Sequence, residues 1–321
     1  MDLSIIIPVF NAESTIEQCI MTIEDQVSQY EIQIIAVDDG SVDNSVKVLQ
    51  KLQKCYSNIE IFSQKNLKQS AARNNGLAYA KGKYVAFFDS DDDVMPGMIS
   101  SMLSRMEQGN DLVVCGINKI YFSKSISEVD SVFAENYESR KKLISRYLTC
   151  NNEADVGLWN KIFRRDILDK FEISFSNGDF FEDSLFVLKY LSVINYKRVL
   201  FIPIAFYNLY KREGSTTTSF KPYIDIFADK YISQVASWLS FKQIKIDENV
   251  WNAFVLRIHL HVIHHHIKYD GSWNSKRQKD IFVNFTTMKF LKSIVHLTCK
   301  YSLALIVAQY FPGIYYKLYK K

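Results

Sequence analysis

Residues 84–96 read YVAFFDSDDDVMP, five mostly apolar residues that lead into a cluster of four carboxylates and then a proline. The clustered carboxylates repel one another and lose hydration beside the apolar run, so the arrangement is costly unless a cation lies among them. The stretch therefore predicts a buried strand whose end binds a divalent metal. An acidic turn that caps the next helix is an equally acceptable interpretation at this point, because aspartate and proline suit turns and first helical turns.

Apolar runs of the same kind recur along the first third of the chain, and each is followed by a segment with helical spacing. Strands are predicted at LSIIIPV (3–9), EIQIIAVDDG (31–40), IEIFS (59–63), YVAFF (84–88) and DLVVCG (111–116). Ser14 and Glu17 have capping-box spacing at the start of the first helix. Alternation of strand and helix predicts an α/β fold with a doubly wound, mostly parallel sheet and helices on both faces.

Polar clusters follow three of the predicted strands, at Pro8 to Asn11, Asp38 to Ser41 and Asp89 to Asp93. Ligands bind beyond the carboxyl ends of the strands in sheets of this type. A solvated turn explains one acidic strand end, whereas several at one edge of a sheet indicate a site. The metal interpretation of residues 84–96 gains support from this convergence.

After residue 120 the alternation stops. The sequence predicts a helix near 138–149, a Trp159-Asn160-Lys161 turn that enters another helix, a turn at Gly178 and Asp179, an amphipathic helix from Asp183, and a strand within 198–210. From about residue 222 the pattern is helical. We therefore predict one domain over 1–220, in two halves at 1–120 and 121–220, and a helical C-terminal subdomain over 221–321.

Composition excludes several classes of protein. The five cysteines stand far apart without a CxxC pair, which indicates neither a zinc knuckle nor a disulfide framework and favours a reducing cytoplasm. The N-terminal apolar run is too short for a signal peptide and has no basic residues before it. No stretch reaches the roughly 18 uncharged apolar residues of a membrane-spanning helix. The sequence predicts a cytoplasmic protein that is not integral to a membrane.

Charge is unevenly distributed. Residues 1–120 carry 10 Lys and Arg against 16 Asp and Glu, whereas residues 289–321 contain six lysines and no acid among aliphatic and aromatic residues. This tail is typical of an interfacial helix on an anionic membrane, which predicts peripheral binding to the inner face of the cell membrane. Packing on the protein's own core or in a homodimer is the alternative. Nucleic-acid binding is not expected, because the basic excess lies among apolar residues rather than in a groove.

Several motifs occur in one order over roughly residues 1–220: IIIPVFN, VDDGSVDNS, SAARNNGL, FFDSDDD, WNK, FFEDSLF and YKREGSTTT. In this order and spacing they resemble the family 2 glycosyltransferases, which have the GT-A fold. The resemblance implies a nucleotide-binding half at 1–120 and an acceptor-binding half at 121–220. It further implies inverting transfer of a hexose from a nucleotide sugar, a UDP-sugar, to a saccharide hydroxyl on a lipid-linked glycan of capsule or surface polysaccharide. The QxxRW motif of the processive members is absent, which predicts one sugar per encounter.

The resemblance also implies the nucleotide-binding residues. Asp39 would accept a hydrogen bond from the uracil N3–H, and Phe10 would stack on the ring where the family often has tyrosine. Pro8 and Asn11 flank this contact. Arg73 would reach the base or the diphosphate, and the neighbouring Asn74 and Gly76 favour this over a surface arginine.

Asp89 and Asp91 match the family's DXD motif, whose carboxylates bind Mn2+ or Mg2+ on the donor diphosphate, with Ser90 in the nucleotide site. Asp92 and Asp93 are expected to cap the helix after Pro96 instead.

The family's ED motif implies that Asp183 is the general base and Glu182 its neighbour or an acceptor ligand. The alternative is that Asp183 is only a helix N-cap. We assign Trp159, Asn160 and Lys161 to the acceptor or diphosphate side, although a core tryptophan is the simpler alternative. Lys211 and Arg212 belong to a loop, YNLYKREGSTTTS, expected to order over the donor diphosphate after it binds.

Other functions remain open at this point. Transfer to a polyprenyl phosphate would need no strong base, because phosphate is already ionised. A sugar-nucleotide nucleotidyltransferase usually opens with a glycine-rich loop, which IIIPVFNAES lacks. A non-catalytic receiver-like domain would explain acidic strand ends but not the ED and WNK clusters.

Overall fold

The computed structural model describes residues 1–26, 29–176, 180–212, 220–282 and 285–320. The chain forms two compact units. The first comprises Met1–Arg140 with Asn152–Arg212, and the second comprises Lys141–Asn151 with Glu213–Lys321. The division of the first 220 residues into two functional halves stays a prediction.

The described part of the first unit contains one mixed sheet. Its strands are β1 Leu3–Val9, β2 Ile32–Asp38, β3 Ile59–Ser63, β4 Tyr84–Phe87, β5 Asp93–Val94, β6 Leu112–Ile120, β7 Ser125–Glu128, β8 Lys161–Arg164 and β9 Val199–Tyr210. The strand order is β3-β2-β1-β4-β8-β6-β9-β5, and β7 pairs with β6. Strands β3, β2, β1 and β4 are mutually parallel, as β6 and β9 are, whereas β8 is antiparallel to both β4 and β6.

The helices are α1 Ile16–Glu24, α2 Ser45–Cys55, α3 Gln69–Tyr79, α4 Met98–Glu107, α5 Arg140–Cys150, α6 Glu153–Val156, α7 Arg165–Lys170, α8 Glu182–Leu191, α9 Ile224–Phe241, α10 Glu248–Tyr269, α11 Ser275–Asp280, α12 Thr287–Ile294, α13 Cys299–Tyr310 and α14 Pro312–Tyr319. Short 3-10 turns lie at Val132–Ala134 and Tyr196–Arg198.

Strand β1 shows why the central strands are continuous apolar runs. Ile5 and Ile7 join a core that α1, α2 and α4 also enter, while Ile6 points to the other face and meets α3. A Cβ on Gly76 of α3 would lie 2.5 Å from Cγ2 of Ile6, so glycine is required for this close packing. Helices thus cover both faces of the sheet, and apolar residues are needed on both sides of the strand.

The predicted α/β class and the five strands predicted within residues 1–120 are confirmed, and three local predictions are wrong. Lys161 begins strand β8 rather than a turn that enters a helix. Helix α1 has Thr15 at its N-cap with no side-chain hydrogen bond there, so Ser14 and Glu17 form no capping box. Gly76 faces Ile6 and serves packing rather than approach to a ligand.

The second unit is helical, as predicted. The long helix α10 contributes Leu256, Leu260 and Ile263 to its core, and the last three helices add Phe290 and Tyr315 among others. No helix in the described residues is both long and apolar enough to cross a membrane.

Candidate active site

The carboxyl ends of β1, β2 and β4 lie at one edge of the sheet because these strands are parallel neighbours. Asp39 follows β2, and its backbone N–H donates to the carbonyl of Val9 at 2.8 Å. Its buried carboxylate accepts from the backbone N–H of Leu67 and from Gln64 Nε2, both at 2.8 Å on Oδ1. The loop before α3 therefore fixes the orientation of Asp39.

The residues after β1 present an open aromatic surface. The Phe10 side chain is 48% exposed beside this edge, so its ring is accessible for stacking. Asn11 has a φ of 50°, a left-handed conformation that asparagine tolerates better than most residues. Its backbone N–H donates to Ser41 Oγ at 3.0 Å and its Oδ1 accepts from Val42 N at 2.9 Å, which ties the two strand ends together. Pro8 lies half-buried in β1 opposite Val37.

Arg73 of α3 bridges two of the predicted site carboxylates. Nη1 donates to Asp183 Oδ1 at 2.8 Å and Nη2 donates to Asp89 Oδ1 at 2.9 Å. The guanidinium lies over the Phe175 ring at 5.5 Å and is 1% exposed, whereas the side chains of Asp183 and Asp89 are 27% and 32% exposed. Each carboxylate is thus anchored from the protein side and still reaches solvent.

Charge in this cluster is finely balanced. Burial lowers the pKa of Arg73, but the charges of Asp183, Asp89 and Glu182 raise it by more, so the net shift is upward. Burial raises the pKa of Asp183, and Arg73 opposes that rise. Burial and the neighbouring Asp183 raise the pKa of Glu182 to about 7, although Gln69 donates a hydrogen bond to it. Near neutral pH, Glu182 is therefore only partly ionised beside Asp183.

Helix α8 begins at Glu182, with Phe181 at the N-cap and no side-chain capping bond. Asp183 is the second residue of the helix and is not its cap, so the alternative structural role is wrong. Both carboxylates lie in the first turn, where the helix dipole favours negative charge. Glu182 Oε2 is buried and has no hydrogen-bond partner among the described residues.

The half-buried Ser90 separates Asp91 from Asp89 in the sequence. Arg212 Nη1 contacts Asp91 Oδ2 at 2.9 Å, and Arg212 Nη2 donates to the Asp91 carbonyl at 2.8 Å. Burial and the charge of Asp89 raise the pKa of Asp91, against the effect of Arg212. This pair of carboxylates therefore carries negative charge that the surrounding protein only partly neutralises.

Asp92 and Asp93 do not cap helix α4, which has Gly97 at its N-cap and no side-chain capping bond. Asp92 is buried and accepts from Tyr207 Oη at 3.0 Å and from Tyr210 N at 2.9 Å. Asp93 pairs in β5 and accepts from Asn208 Nδ2 at 2.6 Å. Both residues instead bind the segment 89–93 to β9. Burial, and then the charges of Asp89 and Asp91, raise the pKa of Asp92 to about 8.

Trp159, Asn160 and Lys161 are buried, and the structure gives each a role inside the protein. The Trp159 ring stacks on Tyr207 with centroids 5.2 Å apart. Lys161 Nζ donates to the carbonyls of Ala154 and Gly157 at 2.5 and 2.6 Å and to Asn160 Oδ1 at 2.9 Å. These contacts hold Trp159 and Lys161 within the protein, and the direct contact of the three residues with acceptor or diphosphate stays a prediction.

Lys211 follows β9 and pairs with Glu153, which also pairs with Lys119 at 2.9 Å. Lys211 and Arg212 are thus both held by acids at the point where the chain leaves the sheet. The rest of the loop whose ordering was predicted, residues 213–219, lies outside the described residues, as do Gly178 and Asp179.

Two residues of the site were missed from the sequence. Gln69 donates to Glu182, and Tyr207 Oη accepts from the backbone N–H of Asp89 at 3.2 Å while donating to Asp92. Gln69 lies four residues before Arg73, on the same face of α3, and this spacing was an available signal. Nothing in the apolar context of Tyr207 indicated a polar partner.

Comparison with known proteins agrees with this architecture. The family model described as Glycosyl transferase family 2 matches residues 4–171. A cholesterol galactosyltransferase of Borreliella burgdorferi is 34% identical over 225 residues, 67% of this chain and 62% of the relative. A GalNAc(5)-diNAcBac-PP-undecaprenol beta-1,3-glucosyltransferase of Campylobacter jejuni is 37% identical over 109 residues, 33% of this chain and 35% of the relative. The chain therefore spans less than two thirds of the length of these curated relatives.

Among solved structures, TarS 1-349 of S. aureus in complex with UDP-GlcNAc aligns with a TM-score of 0.65 and 19% identity, covering 100% of this chain and 90% of that chain. At this identity the likeness shows the fold, and the GT-A architecture expected from the sequence is confirmed. The match over residues 4–171 and the shared fold show that this chain belongs to glycosyl transferase family 2.

Proposed function

We propose that this protein transfers a single sugar, with inversion, from a nucleotide sugar to a saccharide hydroxyl. The observation that carries the proposal is the Arg73 bridge, in which one buried guanidinium holds the carboxylates of Asp183 and Asp89 at 2.8 and 2.9 Å. A base for the acceptor and a carboxylate for the donor diphosphate are thereby fixed relative to each other. Direct displacement needs this kind of positioning, because both reactants must meet in a defined geometry. We assign this chemistry to residues 1–220.

Asp183 is the proposed general base. It would accept the proton of the acceptor hydroxyl while that oxygen attacks the anomeric carbon from the face opposite the nucleotide. Burial raises its pKa, which makes the carboxylate a better proton acceptor, and Arg73 keeps it ionised. Glu182, with a pKa raised to about 7, limits the charge of the pair and is the proposed acceptor ligand.

The donor nucleotide is proposed to bind at the ends of β1 and β2. Phe10 offers its exposed ring to the base, and Asp39 accepts from the base N3–H, which favours uracil and hence UDP. Pro8, Asn11 and Ser90 complete this side of the site.

Mn2+ or Mg2+ is the proposed cofactor, with Asp89 and Asp91 as its ligands. The residues fit such an ion: both side chains are oxygen donors that reach solvent, and the pKa of Asp91 is raised by burial and by Asp89, which a cation would reverse. The described residues contain no cluster of three or more His, Cys, Asp or Glu side chains that could bind a metal without other ligands. Magnesium commonly takes one or two carboxylates and completes its shell with substrate phosphates and water. When bound, the ion would neutralise charge on the departing diphosphate.

Lys211 and Arg212 are the cations assigned to the donor diphosphate. Both are held by acids in this structure, Lys211 by Glu153 and Arg212 by Asp91. Arg212 thus lies directly beside a proposed metal ligand, where a guanidinium can reach a phosphate oxygen.

The acceptor is proposed to be a lipid-linked glycan of capsule or another surface polysaccharide. The support is the relative named for an undecaprenol diphosphate-linked saccharide. The cholesterol galactosyltransferase supports a lipid acceptor without a glycan.

Calorimetric titration of UDP into the protein, with and without Mn2+, tests the donor site. We expect binding that strengthens at least tenfold with Mn2+, about 1.4 kcal/mol, and loses this dependence in Asp91→Asn. The matched control is Asp169→Asn, whose carboxylate is exposed and pairs with Arg165 at 3.3 Å. No UDP binding in either condition, with GDP tested alongside, would refute the donor assignment.

A further inference from the structure

The last three helices of the chain, α12 to α14, have one buried and one exposed side. Phe290, Ile294, Leu305 and Tyr315 pack into the core around α10, and Gln278 Nε2 donates to the Ala308 carbonyl at 2.8 Å. These helices are therefore integral to the second unit. Removing them would expose its core, so any surface function must be tested by point substitution.

The opposite side of the same helices is apolar and exposed. Its members recur at three-, four- or seven-residue spacing, so each helix presents a stripe to solvent. Their exposed fractions run from 44% to 74% at Met288, Leu291, Val295, Leu303, Tyr310, Phe311, Ile314 and Leu318. Eight large apolar side chains within 31 residues exceed the scattered exposure that is usual on a soluble surface. We call this set the C-terminal face.

Lysines accompany the stripes. Lys292, Lys300 and Lys317 are exposed on the same three helices, Lys320 is exposed directly after α14, and residues 289–321 contain no acid. Lys289, by contrast, contacts Glu248 at 3.9 Å and is not counted with the face. The surface thus combines apolar side chains with positive charge that has no acidic counterpart in its own segment.

We infer that the C-terminal face docks on an anionic lipid bilayer. The apolar stripes would enter the boundary between headgroups and acyl chains, and Tyr310 would place its hydroxyl at headgroup level. Lysine side chains can extend their ammonium groups to anionic headgroups while their methylene chains stay in apolar surroundings. A bilayer therefore satisfies the apolar and the basic side chains at once.

A second copy of this chain is the less suitable occupant. A two-fold contact brings the same patch of both copies together, so the lysines of one face would meet those of the other. Residues 289–321 themselves supply no acid that would neutralise them. Charge complementarity thus selects the lipid surface. The inference is independent of the proposed function, since it uses no residue of the candidate active site.

Vesicle co-sedimentation of the full chain tests the inference. The probes are phosphatidylcholine vesicles with and without about one third phosphatidylglycerol, and the first variant is Phe311→Ser with Ile314→Ser and Leu318→Ser. We expect binding to the anionic vesicles that weakens at least tenfold in this variant and falls as salt rises. The matched control, Ile226→Ser with Phe241→Ser, alters apolar residues of the same unit that are 62% and 72% exposed, and should bind like wild type.

A charge variant separates lipid docking from general stickiness. Lys292→Glu with Lys300→Glu and Lys317→Glu should weaken binding to anionic vesicles about tenfold or more, while Lys276→Glu should not. Unchanged thermal unfolding would show that each variant is folded, whatever the fate of the donor-site proposal. Absence of binding to anionic vesicles, equal binding by the apolar variant, or a wild-type dimer that the apolar variant dissociates would each overturn the inference.

Discussion

Arg73 and Lys161 are both buried cations of the first unit, with 1% and 0% of their surface exposed, but different groups surround them. Arg73 contacts two carboxylates that reach solvent. Lys161 donates to two backbone carbonyls and an amide oxygen, all neutral. Burial lowers the pKa of Lys161 to about 7, against the effect of Asp155, whereas the carboxylates raise the pKa of Arg73.

The two regions therefore differ in role: the groups around Arg73 are suited to catalysis, and those around Lys161 stabilise the fold. A charge held by ionised groups at a solvent-exposed edge can respond to a bound substrate, because its partners can exchange it for another cation. A charge held by buried neutral carbonyls fixes the chain, and Lys161 acts on the site only through its charge, which lowers the pKa of Asp183. Substitutions in the Arg73 region should therefore change catalysis most, and those in the Lys161 region should change stability more than catalysis.

The largest expected effect is on turnover. Asp183→Asn keeps an oxygen that accepts from Arg73 but removes the proposed base, so sugar transfer to a hydroxyl should slow by about a hundredfold to ten-thousandfold. UDP binding should persist. Turnover would be measured with a UDP-sugar and a saccharide acceptor, with Asp169→Asn as the control for charge.

Near-normal turnover of Asp183→Asn would remove the base assignment. It would favour an acceptor that is already ionised, such as a polyprenyl phosphate, over a saccharide hydroxyl.

Arg73→Met should destabilise the fold as well as reduce activity. It leaves Asp89 and Asp183 facing each other without their shared cation, and breaking a buried ion pair costs about 3–5 kcal/mol. Because both carboxylates are partly exposed, we expect a loss of about 2–3 kcal/mol of unfolding free energy, measured by urea denaturation. The exposed Arg277→Met should stay within about 0.5 kcal/mol of wild type. Equal stability of Arg73→Met and wild type would mean that the bridge contributes no net stabilisation.

The two regions also differ in how much the sequence disclosed. Arg73, Asp89 and Asp183 were found because short motifs follow predicted strands or begin a predicted helix, and the strand ends of a parallel sheet must converge. Asp92 was misassigned because its partner Tyr207 lies 115 residues further along the chain, beyond any local pattern.

Strand β8 was missed for a related reason. Its four residues, KIFR, are too few to show periodicity, and they become a strand only through pairing with β4 and β6. Lys161 at its start looked like a ligand because lysine is rarely buried, and only the carbonyls of the preceding helix turn explain its position.

The smallest effect should come from Lys161→Met, and its signature is a pH dependence. An unfolded lysine keeps its proton up to about its ordinary pKa of 10.5, whereas the folded Lys161 releases it near 7. Between these values the unfolded chain binds more protons, so the unfolding free energy contributed by Lys161 rises with pH. Methionine cannot titrate, and it removes the lysine donor from three acceptors, of which the Ala154 carbonyl still accepts from Asn160 Nδ2 at 3.0 Å. It also relieves a buried charge, for a net cost of about 1 kcal/mol at pH 7.

Urea denaturation of wild type and Lys161→Met at intervals between pH 7 and 10 therefore should show a stability deficit that widens as pH rises, with Lys276→Met as the control for lost charge. UDP binding should be unchanged at pH 7, because Lys161 Nζ donates to Ala154, Gly157 and Asn160 inside the protein. Turnover should change little, since Lys161 acts on Asp183 only through its charge, which lowers the pKa of that carboxylate. A deficit that stays constant over this range would mean that the folded Lys161 keeps its proton. A selective loss of UDP affinity would instead place it in the donor site, and the contrast with Arg73 would fail.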